Sequence, residues 1–246
     1  MEFEDIWNWF CKFSLIVFII LIINSLLGDI LFRATYSFPK VTTITQERIK
    51  IENEPVQTKL HNAKHIKAYG EKEEYALLPQ AEYSLSGLVV AKNTNFWLRD
   101  VMRSQFDDLF LMDLGIVWGE LATNQKRLYK EWKFRSYKEL GQGRRLEWRY
   151  KVPYNQLYWD INYVSSHVSH THISAANTNV MGALLKIKKN DIVKIDGYLV
   201  DVYTSKGKVI GKSSLSRTDT DATSRGYGAC EEMYVTQVQI GNKIYR

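Results

Sequence analysis

The chain has 246 residues, of which 45% are hydrophobic and 24% are charged, the composition of an ordinary globular protein. This balance excludes a disordered chain, a collagen-like chain and a membrane protein with many spans. Two cysteines, Cys11 and Cys230, are too few for a disulfide framework or for a zinc site made of cysteines alone. The net charge of +6 favours an anionic partner only weakly.

Residues 13–32 form an apolar segment whose only charged residue is Asp29. About 20 apolar residues suffice to cross a bilayer as a helix, so the segment predicts one transmembrane helix after a tail at residues 1–12. The alternative is a cleaved signal peptide, but the segment is preceded by Glu2, Glu4 and Asp5, and no small-residue cleavage site follows. We therefore predict a single-pass protein of the cell membrane, which is the inner membrane in a Gram-negative cell.

The side of the membrane on which the rest of the chain lies is undecided. Arg33, Lys40, Arg48 and Lys50 follow the apolar segment, and the positive-inside rule then favours a cytoplasmic location. Long domains, however, are translocated largely regardless of such charges.

Residues 33–80 contain three of the four prolines and few periodic runs, and we predict a stalk there. A β-rich globular domain is expected from residue 81 to residue 246. Its strands are predicted from apolar or alternating runs at residues 83–91, 109–118, 128–137, 144–152, 191–203, 209–210 and 232–244. A hairpin loop is predicted at residues 139–143, and one helix at residues 175–187 with Ser174 or Asn177 as its N-cap.

The order of these elements predicts a mainly β (α+β) domain. A helix between the third and fourth strands is typical of an OB-type barrel, and a β-sandwich with an added helix is the alternative.

Residues 187–200, a polar turn followed by a strand with Gly197, resemble the fourth strand of OB-like domains. Together with residues 213–220 and 228–235, this region resembles a family of uncharacterised bacterial single-pass membrane proteins with an OB-like C-terminal domain. The resemblance implies an anchored OB-like domain but no catalytic residues. Residues 221–227 make the last loop longer than the resemblance implies.

A basic segment lies in the predicted hairpin, because residues 126–151 contain ten Lys or Arg and only three Glu. Strand alternation places five of these cations on the outer face of the hairpin, and we predict them as binding residues: Lys133, Arg135, Arg145, Arg149 and Lys151. Such a face can bind phosphates, anionic lipid or an acidic protein. The alternative is a solvated face without a ligand.

Three histidines, His167, His170 and His172, are candidate zinc ligands, and the last two would share a strand face. The alternative is a polar loop with solvated histidines. Cys230 with His172 is a candidate nucleophile and base, although a free cysteine at the start of a strand is typically a small buried hydrophobe.

No phosphate-binding GxxxxGK[ST] loop, GxSxG elbow or CxxC motif is present, so no nucleoside triphosphate site and no cofactor are predicted. The favoured function is a membrane-anchored, non-catalytic binding or scaffold domain for a protein, an anionic lipid or a nucleic acid. A membrane-tethered hydrolase that uses the histidines or Cys230 is the alternative.

Overall fold

The computed structural model describes residues 3–36, 38–70, 72–94, 104–139, 143–213, 215 and 230–246. Its first element is helix α1, Phe3–Thr35. The side chains described in α1, those of residues 7, 9–23, 27 and 30, are all exposed. No helix within the described part of the chain combines the length with the apolar character that a bilayer crossing requires.

The described residues after α1 form a mixed α+β structure that consists mostly of strands. The strands are β1 Thr43–Ile44, β2 Val56–Lys59, β3 Ile66–Tyr69, β4 Glu74–Thr94, β5 Met112–Val117, β6 Trp132–Glu139, β7 Gly143–Tyr150, β8 Val168–Ala175, β9 Ile192–Thr204, β10 Val209–Lys212, β11 Cys230–Ile240 and β12 Lys243–Tyr245. The helices are α2 Gln105–Leu109, α3 Glu120–Thr123, α4 Gln125–Glu131, α5 Ile161–Ser166 and α6 Thr178–Lys186, with a 3₁₀ turn at Tyr154–Gln156.

Five strands pair in a closed cycle. β4 pairs with β5, β5 with β8, β8 with β11, β11 with β9, and β9 with β4. Only the β8–β11 pair is parallel among these five pairings. The other strands of the ten-stranded sheet extend the cycle: β10 pairs with β9, β12 with β11, β1 with β12, and both β2 and β3 with β4.

The long strand β4 makes the cycle possible. Its 21 residues alternate between buried and partly exposed positions from Tyr75 to Leu85, and then stay buried from Gly87 to Ala91. Register shifts at Pro79/Ala81 and Val89/Ala91 mark irregularities in its pairing. Because bulges bend a strand and increase its twist, β4 can pair with β9 along most of its length and with β5 near its end.

The main apolar core lies inside the cycle and is shared by its strands and helix α6. Leu85, Leu114, Ile173, Ile195 and Val235 are all fully buried in this cluster. Helix α6 begins at the predicted cap Asn177, whose side chain accepts a hydrogen bond of 2.9 Å from the amide of Val180. Its apolar side chains, Val180, Ala183 and Leu184, belong to the same core.

The hairpin β6–β7 forms a separate two-stranded sheet outside the cycle. Its inner side chains Trp132 and Phe134 are buried in a second cluster with Val90 and Val117 of the cycle. Leu146 and Trp148 pack against that cluster from β7. The hairpin is therefore attached to the outer surface of the cycle by apolar contacts.

The predicted elements are largely present, with three corrections. The run at residues 128–137 is not one strand, because Leu128 lies in α4 and β6 begins only at Trp132. The run at residues 109–118 begins with the end of α2 before β5. The predicted strand at residues 232–244 is two strands, β11 and β12, which are separated by a turn at Gly241 with φ of 58°.

Residues 33–80, which we predicted as a stalk, contain β1, β2 and β3, and all three pair with the large sheet. Ile49 and Ile51 of this segment are buried beside the hairpin cluster.

Candidate functional site

Polar side chains form a grid on the outer face of three neighbouring strands of the cycle. In one row Asp113 of β5 lies opposite His172 of β8, which lies opposite Glu232 of β11. In the next row Gly115, His170 and Cys230 are aligned in the same way. Because side chains alternate along a strand, the residues next to these rows, Leu114, Ile173 and Met233, face the core.

Asp113 makes contacts with several of these side chains and is completely buried. Its Oδ1 atom lies 2.7 Å from Nδ1 of His172, and its Oδ2 atom lies 3.8 Å from Nε2 of His170. The guanidinium of Arg144, whose side chain has no exposed surface, places Nη1 at 3.1 Å from Oδ1 of Asp113. One carboxylate is therefore shared by two imidazoles and one guanidinium.

Cys230 completes the group at the first residue of β11. Its Sγ atom lies 3.4 Å from Nδ1 of His170. One potential ligand atom from each of His170, His172 and Cys230 lies within 4.8 Å of the other two. The two histidines are buried, whereas Cys230 is partly exposed.

Two elements cover the grid from outside the cycle. The hairpin contributes Arg144, and α2 contributes Asp107, whose Oδ1 lies 3.3 Å from Nε of Arg144. Phe106 of α2 presents its ring edge-on to His172 with a centroid separation of 4.9 Å. Ser104 caps α2 by accepting a hydrogen bond of 3.1 Å from the amide of Asp107.

The environment keeps Asp113 charged and both His172 and Cys230 neutral. Burial raises the pKa of Asp113, but the charges of Arg144 and the imidazoles outweigh it and hold that pKa well below its usual range. Burial lowers the pKa of His172 to about 4. Burial and the neighbouring carboxylates Glu232, Glu231 and Asp113 raise the pKa of Cys230 to about 12.

These pKa shifts distinguish between two chemical roles. A nucleophilic cysteine needs a lowered pKa, so the contact of Cys230 with His170 lacks the activation that thiol catalysis requires. A metal ligand needs a neutral imidazole whose other nitrogen is held by a carboxylate, and His172 with Asp113 has this arrangement. The raised pKa of Cys230 therefore argues against thiol catalysis, whereas the arrangement of the imidazoles matches a cation site, in which the ion itself would displace the thiol proton.

The sequence-predicted histidines and cysteine are only partly brought together. His170 and His172 share a strand face as predicted, but they are buried in β8 and not in a solvated loop. His167 lies outside the group, because its ring stacks on Tyr163 at 4.0 Å between centroids and its Nδ1 lies 2.9 Å from the carbonyl oxygen of Tyr163. Cys230 contacts His170, whereas His172 was the predicted partner.

The structure gives the predicted basic residues of the hairpin the expected alternation. In β6 the side chains of Lys133 and Arg135 are exposed while Trp132 and Phe134 are buried. Lys133 lies opposite Arg149, and Arg135 lies opposite Glu147, which forms an ion pair with Arg149. Arg145, also exposed, lies opposite Tyr137.

One predicted residue of the basic face, Lys151, lies outside the strands of the hairpin. Lys151 follows β7 and donates a hydrogen bond from Nζ to the carbonyl oxygen of Tyr129 at 2.5 Å. Tyr129 itself belongs to α4, where its hydroxyl group donates to Asn190 at 2.6 Å.

The residue patterns did not predict the role of Asp113 or the buried position of Arg144. A signal for Asp113 was available, since it is the only charge in the apolar run at residues 109–118. A carboxylate inside a buried strand requires a partner. Most of the loop at residues 211–232 lies outside the described residues.

Comparisons of the chain with protein-family models, with curated proteins and with solved structures find no significant match.

Proposed function

We propose that this chain is a membrane-tethered, non-catalytic binding protein, in which an OB-type barrel presents the outer face of the β6–β7 hairpin to an acidic segment of a partner protein. The exposed cations of that face, on a hairpin attached to a rigid sheet, carry the proposal.

The strand order supports the OB-type assignment. Along the chain the cycle consists of β4, β5, β8, β9 and β11, and α6 lies between the third and fourth of these strands. An OB-type barrel has five strands in a partly open Greek-key arrangement. In the chain, the segment between β5 and β8 contains the hairpin, and the segment between β4 and β5 contains α2.

The position of the hairpin favours a protein over a nucleic acid as the partner. OB-type barrels bind oligonucleotides on the face of their second and third strands. Here those strands are β5 and β8, and their outer face is covered by Arg144, Leu146 and Phe106 of the same chain. The accessible cationic surface is instead the other face of the hairpin.

The composition of that outer face supports binding of an acidic segment. Among the side chains that the structure describes, it has four cations, Lys133, Arg135, Arg145 and Arg149, and one carboxylate, Glu147. Tyr154 and Tyr158, which follow the hairpin, are 60% and 59% exposed. Arginine and tyrosine are enriched in protein interfaces, where complementary charge also increases the rate of association.

Attachment through α1 is the second part of the proposal. Large apolar side chains such as Phe13, Ile16 and Ile20 are more than half exposed along this helix. Exposed apolar side chains of this kind favour insertion into lipid. The side of the membrane on which the binding face lies is left for experiment.

A charge-reversal variant tests the binding face. In the detergent-solubilised full chain, Lys133, Arg135 and Arg145 are replaced by Glu, and binding of a fluorescent peptide rich in Asp and Glu is measured by anisotropy. We expect the variant to bind the peptide about 10- to 100-fold more weakly, since each 1.4 kcal/mol of lost attraction is a factor of ten. Binding by the unmodified chain should also weaken as salt is added.

The matched control has Lys206, Lys208 and Lys243 replaced by Glu, because these lysines are also exposed and the change in net charge is the same. It should bind the peptide as the unmodified chain does. Equal loss in both variants would show that only net charge matters and would contradict the proposed face. If an oligothymidylate or phosphatidylserine vesicles bound more tightly than the peptide, the partner would be a nucleic acid or an anionic membrane and not an acidic protein segment.

A further inference from the structure

We infer that His170, His172 and Cys230 bind a divalent transition metal ion of the zinc class, which joins the parallel strands β8 and β11 on the outer face of the cycle. The inference is independent of the basic face of the hairpin.

The donor set and its spacing fit such an ion. Two imidazoles and one thiolate are ligands that zinc prefers, and tetrahedral zinc with Zn–S of about 2.3 Å and Zn–N of about 2.0 Å places its ligand atoms about 3.5 Å apart. The Sγ atom of Cys230 and the Nδ1 atom of His170 are already 3.4 Å apart. One potential ligand atom from each of the three residues lies within 4.8 Å of the other two, which is close to this spacing.

Asp113 holds one imidazole by a hydrogen bond and faces the other. It binds Nδ1 of His172 and therefore leaves Nε2 of His172 as the ligand atom. It also faces Nε2 of His170 and leaves Nδ1 of His170, the atom nearest the thiol, as the second ligand atom. In zinc sites a carboxylate commonly accepts a hydrogen bond from the second nitrogen of a ligating histidine, and here Asp113 lies beside that nitrogen of both histidines.

Two buried atoms indicate that the group is incomplete without a ligand. Among the described residues, neither Nε2 of His170 nor Oδ2 of Asp113 has a hydrogen-bond partner. Both residues are more than nine-tenths buried, and such polar atoms normally have a partner. Their separation of 3.8 Å would shorten to a hydrogen bond if a metal on Nδ1 of His170 fixed the ring with its N–H toward the carboxylate.

The charge of the region favours a cation. Asp107 and Asp113 are buried around the group, and their two carboxylates outnumber the one buried guanidinium, that of Arg144, which is paired with both. Formation of the site replaces the S–H bond of Cys230 with a metal–sulfur bond and releases one proton to solvent, so the ion adds one net positive charge.

Titration with cobalt tests the site directly. The full chain is purified in detergent with a reductant, freed of metal with a chelator and titrated with Co²⁺. We expect one cobalt per chain, with a thiolate-to-cobalt charge-transfer band that Zn²⁺ abolishes by displacement. Cys230→Ser should remove the band, and His170→Asn and His172→Asn should weaken binding by at least about 10-fold. The positioning variant Asp113→Asn should weaken it about 10- to 100-fold.

The chain offers matched controls for both residue types. Cys11→Ser and His167→Asn should retain cobalt binding and the band, since neither residue belongs to the group. A band that disappears with Cys11→Ser, or no band in the unmodified chain, would overturn the site.

A second measurement does not depend on substitutions within the site. In the Cys11→Ser variant Cys230 is the only thiol, and Zn²⁺ should slow its alkylation by iodoacetamide at least about 10-fold. Zinc at 100 times its Kd should also raise Tm by about 5–10 °C. An unchanged alkylation rate and an unchanged Tm would overturn the inference, whatever the outcome of the peptide-binding experiment.

Discussion

At the scale of single residues, the buried pair of Arg144 and Asp113 determines the character of the site. The guanidinium is the cation nearest to a carboxylate that has no contact with solvent. Such a pair adds little stability compared with an apolar pair, but removal of one partner leaves a buried charge without compensation. The pair therefore connects Arg144 of the hairpin to Asp113 of β5, next to the histidines of β8.

Replacement of Arg144 by Met tests this dependence. We expect the free energy of unfolding to fall by about 3–5 kcal/mol, because Asp113 loses its buried cation. The double variant with Asp113→Asn should lose less than the sum of the two single variants, since it removes both charges. Unfolding in urea, followed by tryptophan fluorescence, measures both quantities.

Arg149→Met is the control for this prediction. Arg149 forms an exposed ion pair with Glu147, so its loss should cost no more than about 1 kcal/mol. If Arg144→Met cost no more than Arg149→Met, the buried pair would not determine the stability of this region.

The residue types of the site were predictable, whereas their environment was not. Alternation correctly placed His170 and His172 on one face, because that depends only on strand geometry. Their burial depends on Arg144 and Phe106, which come from segments on either side of β5 and are brought to the site by tertiary packing. The pairing of Cys230 with His170 depends on the register of the parallel strands β8 and β11, which no local pattern encodes.

At the scale of elements, the strand types were predictable from apolar periodicity, but several boundaries were not. Leu128 continues the alternation of β6, yet Asn124 caps a helix by accepting a hydrogen bond from the amide of Arg127, and α4 extends to Glu131. The side chain of Leu128 is buried in the hairpin cluster. The helix cap at Asn124 therefore determines the structure of this segment, because the apolar pattern is compatible with both a strand and a helix.

Closure of the cycle depends on a close approach of β9 and β11 at Gly197. A Cβ atom at this position would lie 2.1 Å from the carbonyl oxygen of Tyr234, which is a backbone atom that no side-chain rotation can move. We therefore expect Gly197→Ala to separate the two strands locally and to reduce the free energy of unfolding by more than about 2 kcal/mol. Faster hydrogen exchange of the amides in β11 should accompany the loss.

Gly207→Ala provides the contrast. Gly207 has φ of 76° in the turn between β9 and β10, and nothing lies within 4 Å of its added Cβ. We expect Gly207→Ala to reduce the free energy of unfolding by about 1 kcal/mol, because a residue with a side chain is strained in this left-handed conformation. Hydrogen exchange of the amides in β11 should not become faster. Equal effects of the two substitutions would contradict a special role for the approach at Gly197.

At the scale of the whole molecule, the net charge of +6 is the sum of two unlike parts. Residues 1–32 have a net charge of −3 and residues 33–246 have a net charge of +9, of which the hairpin segment contributes most. The acidic end and the basic domain are separated by the apolar segment of α1. This separation of charge is consistent with the proposed division of roles, in which α1 attaches to the membrane and the hairpin binds the partner.

Attachment through α1 is testable without knowledge of the partner. The unmodified chain should remain in the membrane pellet after alkaline extraction. Replacement of Ile16 and Ile20 by Asp should release it, because charged side chains oppose the insertion of an apolar helix surface into lipid. Ile16→Leu with Ile20→Leu keeps the segment apolar and should not release the chain. Val209→Asp adds a carboxylate at an exposed position of β10 and should not release it either.

Retention of the double Asp variant in the pellet would show that another part of the chain holds it at the membrane. The basic hairpin would then be the first surface to test with anionic vesicles.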